Sequence, residues 1–239
     1  MKTSVLAFSS SRTGNGGYLE SAAAVIESFL GDQPLNIAFI PFALVSQDYE
    51  GYANNVGTGL SALPHTIQTV NTTNARLTIE NADVIMVGGG NTFKLLHDLY
   101  ALGLVELIKD KVQTGTPYIG WSAGSNIAGA TICTSNDMPI INPGNFNALE
   151  FLPFQINPHY YNKPIEGFNG ETRDQRLNEF VQLNPTKAVV ALPEGTALLL
   201  DSGKLQLIGE NNAVLFHWQN DSVAQQELLL NSDLSFLLR

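Results

Sequence analysis

The chain has 239 residues, 44 % of them hydrophobic and 14 % charged, which is enough apolar material for one large core and too little charge for disorder. Twelve basic against twenty-two acidic side chains give a net charge of −10. That argues against nucleic acid or an anionic membrane as a partner, since either wants a basic face. The single cysteine, Cys133, excludes an internal disulfide, fits a reducing compartment, and is expected to be a small buried apolar residue.

The opening residues carry one lysine and an apolar run too short for a signal sequence, so 4–8 reads as a first strand. No apolar stretch approaches the length of a membrane span, and a soluble, cytoplasmic protein is expected. Helix and strand signals then alternate. Residues 19–30 read as a helix ended by Gly31-Asp32, 36–40 as a strand, 48–63 as a helix and 65–70 as a strand. A short helix over 74–81, a strand over 83–87 and helices over 92–102 and 105–112 follow. Ile37-Ala38-Phe39-Ile40 and Val84-Ile85-Met86-Val87 are continuous apolar runs, the mark of strands covered on both faces. The alternation predicts an α/β fold: a mostly parallel sheet with helices on both faces.

A strand over 117–119 leads into Gly120-Trp121-Ser122-Ala123-Gly124, and 125–130 reads as a helix of small residues. Residues 134–171 are loop-rich, and 173–183 form a helix. The end changes character, with short strands at 188–192, 197–200, 204–208 and 213–217. Asp201-Ser202-Gly203 and Glu210-Asn211-Asn212 between them are turn residues that suggest hairpins. No internal repeat or linker interrupts the chain, so one domain spans 1–239. No heptad or exposed apolar helix demands a partner, so monomer is the default and homodimer the alternative.

Strand, Gly-x-Ser-x-Gly and helix are the parts of a nucleophile elbow, in which the glycines relieve crowding and the serine Oγ is lifted clear of the sheet. Ser122 then needs a base. Of the four histidines, His65, His97 and His217 fall in predicted strands or helices, whereas His159 lies in the loop Asn157-Pro158-His159, where catalytic side chains concentrate. The base needs an acid to fix its tautomer. Asp137, in a polar loop, and Glu194, at a strand end, are both candidates, and their spacing does not decide between them.

Gly88-Gly89-Gly90-Asn91-Thr92 joins a strand to a helix, where backbone N–H groups can face the crevice at the strand ends. A phosphate cradle is one reading, but no Gly-Lys-Ser/Thr follows. An oxyanion hole made by a glycine of this loop and the Ala123 N–H suits a serine enzyme better. Gly89 and Asn91 are candidates for substrate contact. Arg173 and Arg176, three apart at a helix start, suggest a site for a small carboxylate; a surface ion-pair cluster is the plainer reading.

Several of these stretches resemble serine peptidase family S51, to which the α-aspartyl dipeptidases and cyanophycinase belong. They are Phe39-Ile40-Pro41-Phe42-Ala43, Val87 to Phe93, Tyr118 to Gly124, Thr134 to Ile140, Gln155-Ile156-Asn157-Pro158-His159, Gly170 to Arg176 and Leu192-Pro193-Glu194-Gly195. They run in order over nearly the whole chain. The resemblance implies a fold like that of the class I glutamine amidotransferases, with serine replacing the elbow cysteine and extra strands at the end. It implies hydrolysis of dipeptides with N-terminal aspartate, without metal or cofactor. Ser122 would be the nucleophile, His159 the base, and Asp137 or Glu194 the acid. Gly90 and Ala123 would form the oxyanion hole, and Arg173 would read the substrate aspartate. Segments 47–55 and 162–169 are candidates to roof the cleft. The alternatives are a cyanophycinase-like hydrolase of β-aspartyl peptides and a non-catalytic protein that binds a small acidic ligand.

Overall fold

Apolar runs without polar interruption end up as strands with both faces covered. In the computed structural model, which describes residues 3–163, 166–167 and 169–239, they build a seven-stranded sheet. The alternation begins with strand β1 (Val5–Phe8), helix α1 (Glu20–Leu30), β2 (Asn36–Ile40), α2 (Tyr49–Gly59) and β3 (Thr66–Thr69). It continues with α3 (Ala75–Glu80), β4 (Val84–Val87), α4 (Thr92–Ala101), α5 (Val105–Gln113), β5 (Tyr118–Trp121) and the short α6 (Ala123–Asn126). β6 (Gln155–Asn157), α7 (Arg173–Leu183) and β7 (Val189–Ala191) come next, followed by β8 (Thr196–Asp201), β9 (Lys204–Gly209), β10 (Ala213–Gln219) and β11 (Ser222–Leu228).

The large sheet has the order β3-β2-β4-β5-β1-β8-β9. β1 to β5 are parallel, and β8 and β9 add an antiparallel hairpin on the far edge. The mostly parallel α/β sheet expected from the alternation is therefore present. A second, four-stranded sheet has the order β11-β10-β7-β6, parallel only between β6 and β7.

Alternate residues of each strand face opposite cores. Leu6, Phe39, Met86 and Trp121 pack against Ile26 of α1 and Val56 of α2. Ala7, Ile85 and Val87 pack with α3, α4 and α5, and with Ile156, Val190 and Leu215 of the small sheet. The outer face of the small sheet is closed by Leu177 and Val181 of α7 against Val189 and Phe216. The layers are thus helices, large sheet, helices with small sheet, and α7.

Several expectations shift. The helix of small residues begins at Ala123 and stops at Asn126, because Ala130 N–H turns away to donate to the Phe154 carbonyl at 3.0 Å. The helix expected over 48–63 ends at Gly59. Asp201-Ser202-Gly203 does close a hairpin, whereas Glu210-Asn211-Asn212 carries the chain from one sheet to the other. β6 lies inside the stretch read as loop, and the polar β11 pairs with β10 along its whole length. Cys133 is exposed rather than buried. Of segment 162–169, residues 164, 165 and 168 lie outside the described residues. Among the described residues no helix is long and apolar enough to cross a membrane.

Candidate active site

β5 ends at Trp121 and α6 begins at Ala123, so Ser122 makes the turn alone, at φ 54° and ψ −113°. A non-glycine residue in such a conformation costs on the order of 1–3 kcal/mol and persists only where its surroundings hold it. Here they do. Ser122 N–H donates to the Phe8 carbonyl of β1 at 3.2 Å. The Ser125 hydroxyl lies 2.6 Å from the Phe8 carbonyl and 2.9 Å from that of Gly120, and the Tyr118 hydroxyl donates to the Gly124 carbonyl at 2.6 Å. The motif glycines allow the close approach. A Cβ on Gly120 would sit 2.6 Å from the Gly124 backbone, and one on Gly124 would sit 2.2 Å from the Val87 carbonyl oxygen of β4.

His159 arrives from the other sheet, two residues beyond β6, and also has a positive φ, 52°. Its backbone N–H donates to Ser9 Oγ at 2.9 Å, and the Ser9 hydroxyl donates to the Leu192 carbonyl at 2.8 Å. The Asn157 amide donates to the Thr134 carbonyl and to Asn136 Oδ1, both at 2.7 Å. The Asn136 amide in turn donates to the Pro158 carbonyl at 2.7 Å. So held, His159 Nε2 lies 2.9 Å from Ser122 Oγ, and Nδ1 lies 2.7 Å from Glu194 Oε1. Glu194 sits in the turn after β7, its carbonyl tied by the Asn211 amide at 3.0 Å.

The other carboxylate considered, Asp137, is not on the histidine. It accepts the Thr92 N–H at 2.7 Å, the Thr92 hydroxyl and the Ser135 hydroxyl. It therefore caps the N-terminus of α4, where unpaired N–H groups and the helix dipole favour a negative charge.

The glycine loop lies against the elbow, since a Cβ on Gly89 would approach Ser122 Cβ to 2.9 Å. Gly90 has φ 137°, and its N–H makes no hydrogen bond among the described residues. Ala123 N–H heads α6, a position with no intrahelical acceptor. Two donors are thus free beside the serine. The Gly89 carbonyl accepts the Tyr52 hydroxyl at 3.0 Å. Asn91 is likewise engaged: its carbonyl oxygen accepts the Lys94 N–H at 3.0 Å and its amide donates to the Met138 carbonyl at 2.9 Å.

Arg173 is the first residue of α7 and half-buried, with Nη1 buried and without a partner among the described residues. Burial, and then Arg176, lower its pKa, while Asp137 acts in the opposite sense. A capping box between Thr172 and Gln175 fixes this helix end. Asp174 fastens it to the chain after His159, accepting from the Tyr160 hydroxyl and the Asn162 amide, each at 2.6 Å. Arg176 pairs with Glu171 at 3.4 Å on the surface. His97 lies on α4, with Nδ1 2.9 Å from Asp98.

A cleft of about 670 Å³ opens over Ser122 and His159. Its walls come from the C-terminal ends of β1, β2, β4 and β5, where open α/β sheets bind ligands, and from α2. Of segment 47–55, Asp48 at the cap of α2 and Gly51, Tyr52 and Asn55 within that helix line it. Among the described residues no group of three or more His, Cys, Asp or Glu side chains is gathered to hold a metal ion. Ser9, Arg12, Tyr52, Asn126 and Asn136 are parts of the site that the sequence reading passed over. Apart from Arg12, which meets nearby Tyr18, each acts through a contact distant in sequence, such as the Asn126 amide donating to the Ile156 carbonyl at 2.8 Å.

The sequence profile of peptidase family S51 matches residues 5–208. The chain belongs to peptidase family S51. The S51 match agrees with similarity along the full length. Peptidase E of Shewanella oneidensis is 47 % identical over 240 residues, covering 100 % of both chains. Peptidase E of a Nostoc species is 44 % identical over 239 residues, covering 100 % of this chain and 98 % of that one. The fold is also that of a solved peptidase from an acI-B1 actinobacterium, with a TM-score of 0.73 at 17 % identity, over 99 % of this chain and 98 % of that one.

Proposed function

We propose that this S51 chain is a serine dipeptidase that hydrolyses dipeptides with N-terminal aspartate through an acyl-enzyme. The observation that carries the reading is the continuous hydrogen-bonded relay from Ser122 Oγ through His159 to Glu194. Ser122 Oγ attacks the aspartyl carbonyl carbon as His159 Nε2 takes its proton. Glu194 accepts from Nδ1–H and holds the tautomer that leaves Nε2 free to do so. Gly90 and Ala123 N–H groups donate to the oxyanion, a contribution worth about 10²–10³ in turnover per donor.

His159 then returns the proton to the leaving amine as the C–N bond breaks. In the second half, water loses a proton to His159, attacks the ester, and Ser122 leaves with that proton as aspartic acid is released. Arg173 is assigned to the substrate β-carboxylate, supported by its half-buried cation and by an Nη1 without a partner among the described residues. An arginine so placed discriminates against an uncharged side chain, which would leave it unpaired. The same reading puts the enzyme in the cytoplasm.

The test is release of free aspartate from α-Asp-Leu, with β-Asp-Leu, Ala-Leu, Asp-Leu-Gly and the Ser122→Ala variant alongside. Cleavage of α-Asp-Leu alone, lowered about 10⁴-fold or more in Ser122→Ala, is expected. Preference for β-Asp-Leu would favour the cyanophycinase-like alternative. No turnover of any substrate would leave a binding protein.

A further inference from the structure

The cleft holds a cation that the relay does not use. Arg12 lies in the segment after β1 and lines the same cavity as Ser122 and His159, at its exposed rim. Its guanidinium stands 5.6 Å from the centre of the Tyr18 ring. Tyr18 meets the ring of Trp121 edge-on at 6.2 Å, and Trp121 immediately precedes the nucleophile. Hydrogen bonds lock this aromatic wall: Tyr18 hydroxyl to Tyr52 hydroxyl at 3.0 Å, Trp121 Nε1 to Tyr52 hydroxyl at 3.2 Å, and Tyr52 hydroxyl to the Gly89 carbonyl at 3.0 Å. One fixed wall thus carries Arg12 at one end and the elbow at the other.

A guanidinium over an aromatic face keeps its edge N–H donors free for a planar, bidentate acceptor. Among the described residues Arg12 forms no ion pair. Asp48, the one carboxylate lining the cleft among the described residues, accepts the Gly51 N–H of the helix it caps at 3.0 Å. Arg173, at the start of α7, is not among the residues lining this cavity. Arg12 is thus open to an anion entering the cleft, and in a chain of net charge −10 the attraction has to be local.

We propose that Arg12 binds the α-carboxylate of the residue on the leaving side of the scissile bond. In a dipeptide that carboxylate lies only one residue beyond the cut, roughly 3.5 Å of extended chain. A peptide one residue longer places a neutral amide there and carries its charge past the arginine. Arg12 is then the residue that selects dipeptides, an assignment that rests on the peptidase reading above.

The experiment compares α-Asp-Leu with its C-terminal amide, α-Asp-Leu-NH₂, on the wild type and on Arg12→Gln and Arg12→Lys. The wild type is expected to favour the free acid by about tenfold or more in kcat/KM, the scale of a charge-assisted hydrogen bond. Arg12→Gln should bring the acid-to-amide ratio close to one, chiefly by raising KM for the acid, and Arg12→Lys should recover part of it. An unchanged ratio in Arg12→Gln overturns the assignment while leaving the dipeptidase reading intact. Failure of the wild type to cleave either compound overturns that reading and this one with it.

Discussion

Two carboxylates compete on paper for one histidine, and their surroundings separate them. Asp137 answers the unpaired N–H of Thr92 at a helix start, and Glu194 answers His159 Nδ1. Glu194 is a half-exposed partner, its side chain 56 % accessible, so water screens part of its effect. Glu194→Gln is therefore expected to lower kcat about 10–10²-fold, less than the ~10⁴ typical when a buried triad acid is replaced. Asp137→Asn should instead lower stability in thermal unfolding by about 1 kcal/mol, as loss of a helix-end carboxylate does. A kcat loss in Glu194→Gln no larger than that of a surface control would count against the relay. The elbow, the histidine and the glycine loop were all legible in the sequence because their spacing and residue types are local signals. The choice of acid was not, since it depends on which backbone N–H each carboxylate meets across the fold.

At the scale of elements, continuous apolar strands and well-bounded helices could be read within a residue or two, because burial on both faces leaves a local trace. α7 appears over the expected residues, helped by its capping box. The elements that escaped have no such trace. β6 is three residues long, too short for any period, and β11 is polar because most of its side chains face solvent. The approach of α6 to β4 is the tightest contact between elements at the site. There Gly124 faces the Val87 carbonyl of β4 at a distance that no side chain fits. Since the obstacle is backbone on both sides, Gly124→Ala is expected to destabilise by about 3 kcal/mol, the upper range for overpacking. Denaturant titration would measure it, and a change under 1 kcal/mol would show that β4 and α6 can separate without cost.

Across the whole molecule, the relay is drawn from both sheets. Ser122 hangs from β5 of the large one, and His159 and Glu194 follow β6 and β7 of the small one. A buried hydroxyl, Ser9, joins them at the end of β1 by accepting from His159 N–H and donating to the Leu192 carbonyl. Ser9→Ala leaves the His159 N–H without this acceptor, while the Leu192 carbonyl keeps the Tyr160 N–H at 2.9 Å. It is expected to cost about 1–3 kcal/mol in stability and to lower kcat more than tenfold, seen by thermal unfolding and steady-state assay together. Loss of stability with unaltered kcat would mean the histidine is held without it.

Mounting nucleophile and base on separate frames makes turnover a ruler for the gap between those frames. A displacement of about 1 Å between reacting groups can cost 10²-fold in rate. Warmth, pressure or a core substitution that slid one sheet on the other would thus silence the enzyme while every strand and helix stayed intact. Lineages that retune this protein for a hotter or colder habitat would be expected to change first at the seam between its two sheets, well away from the serine.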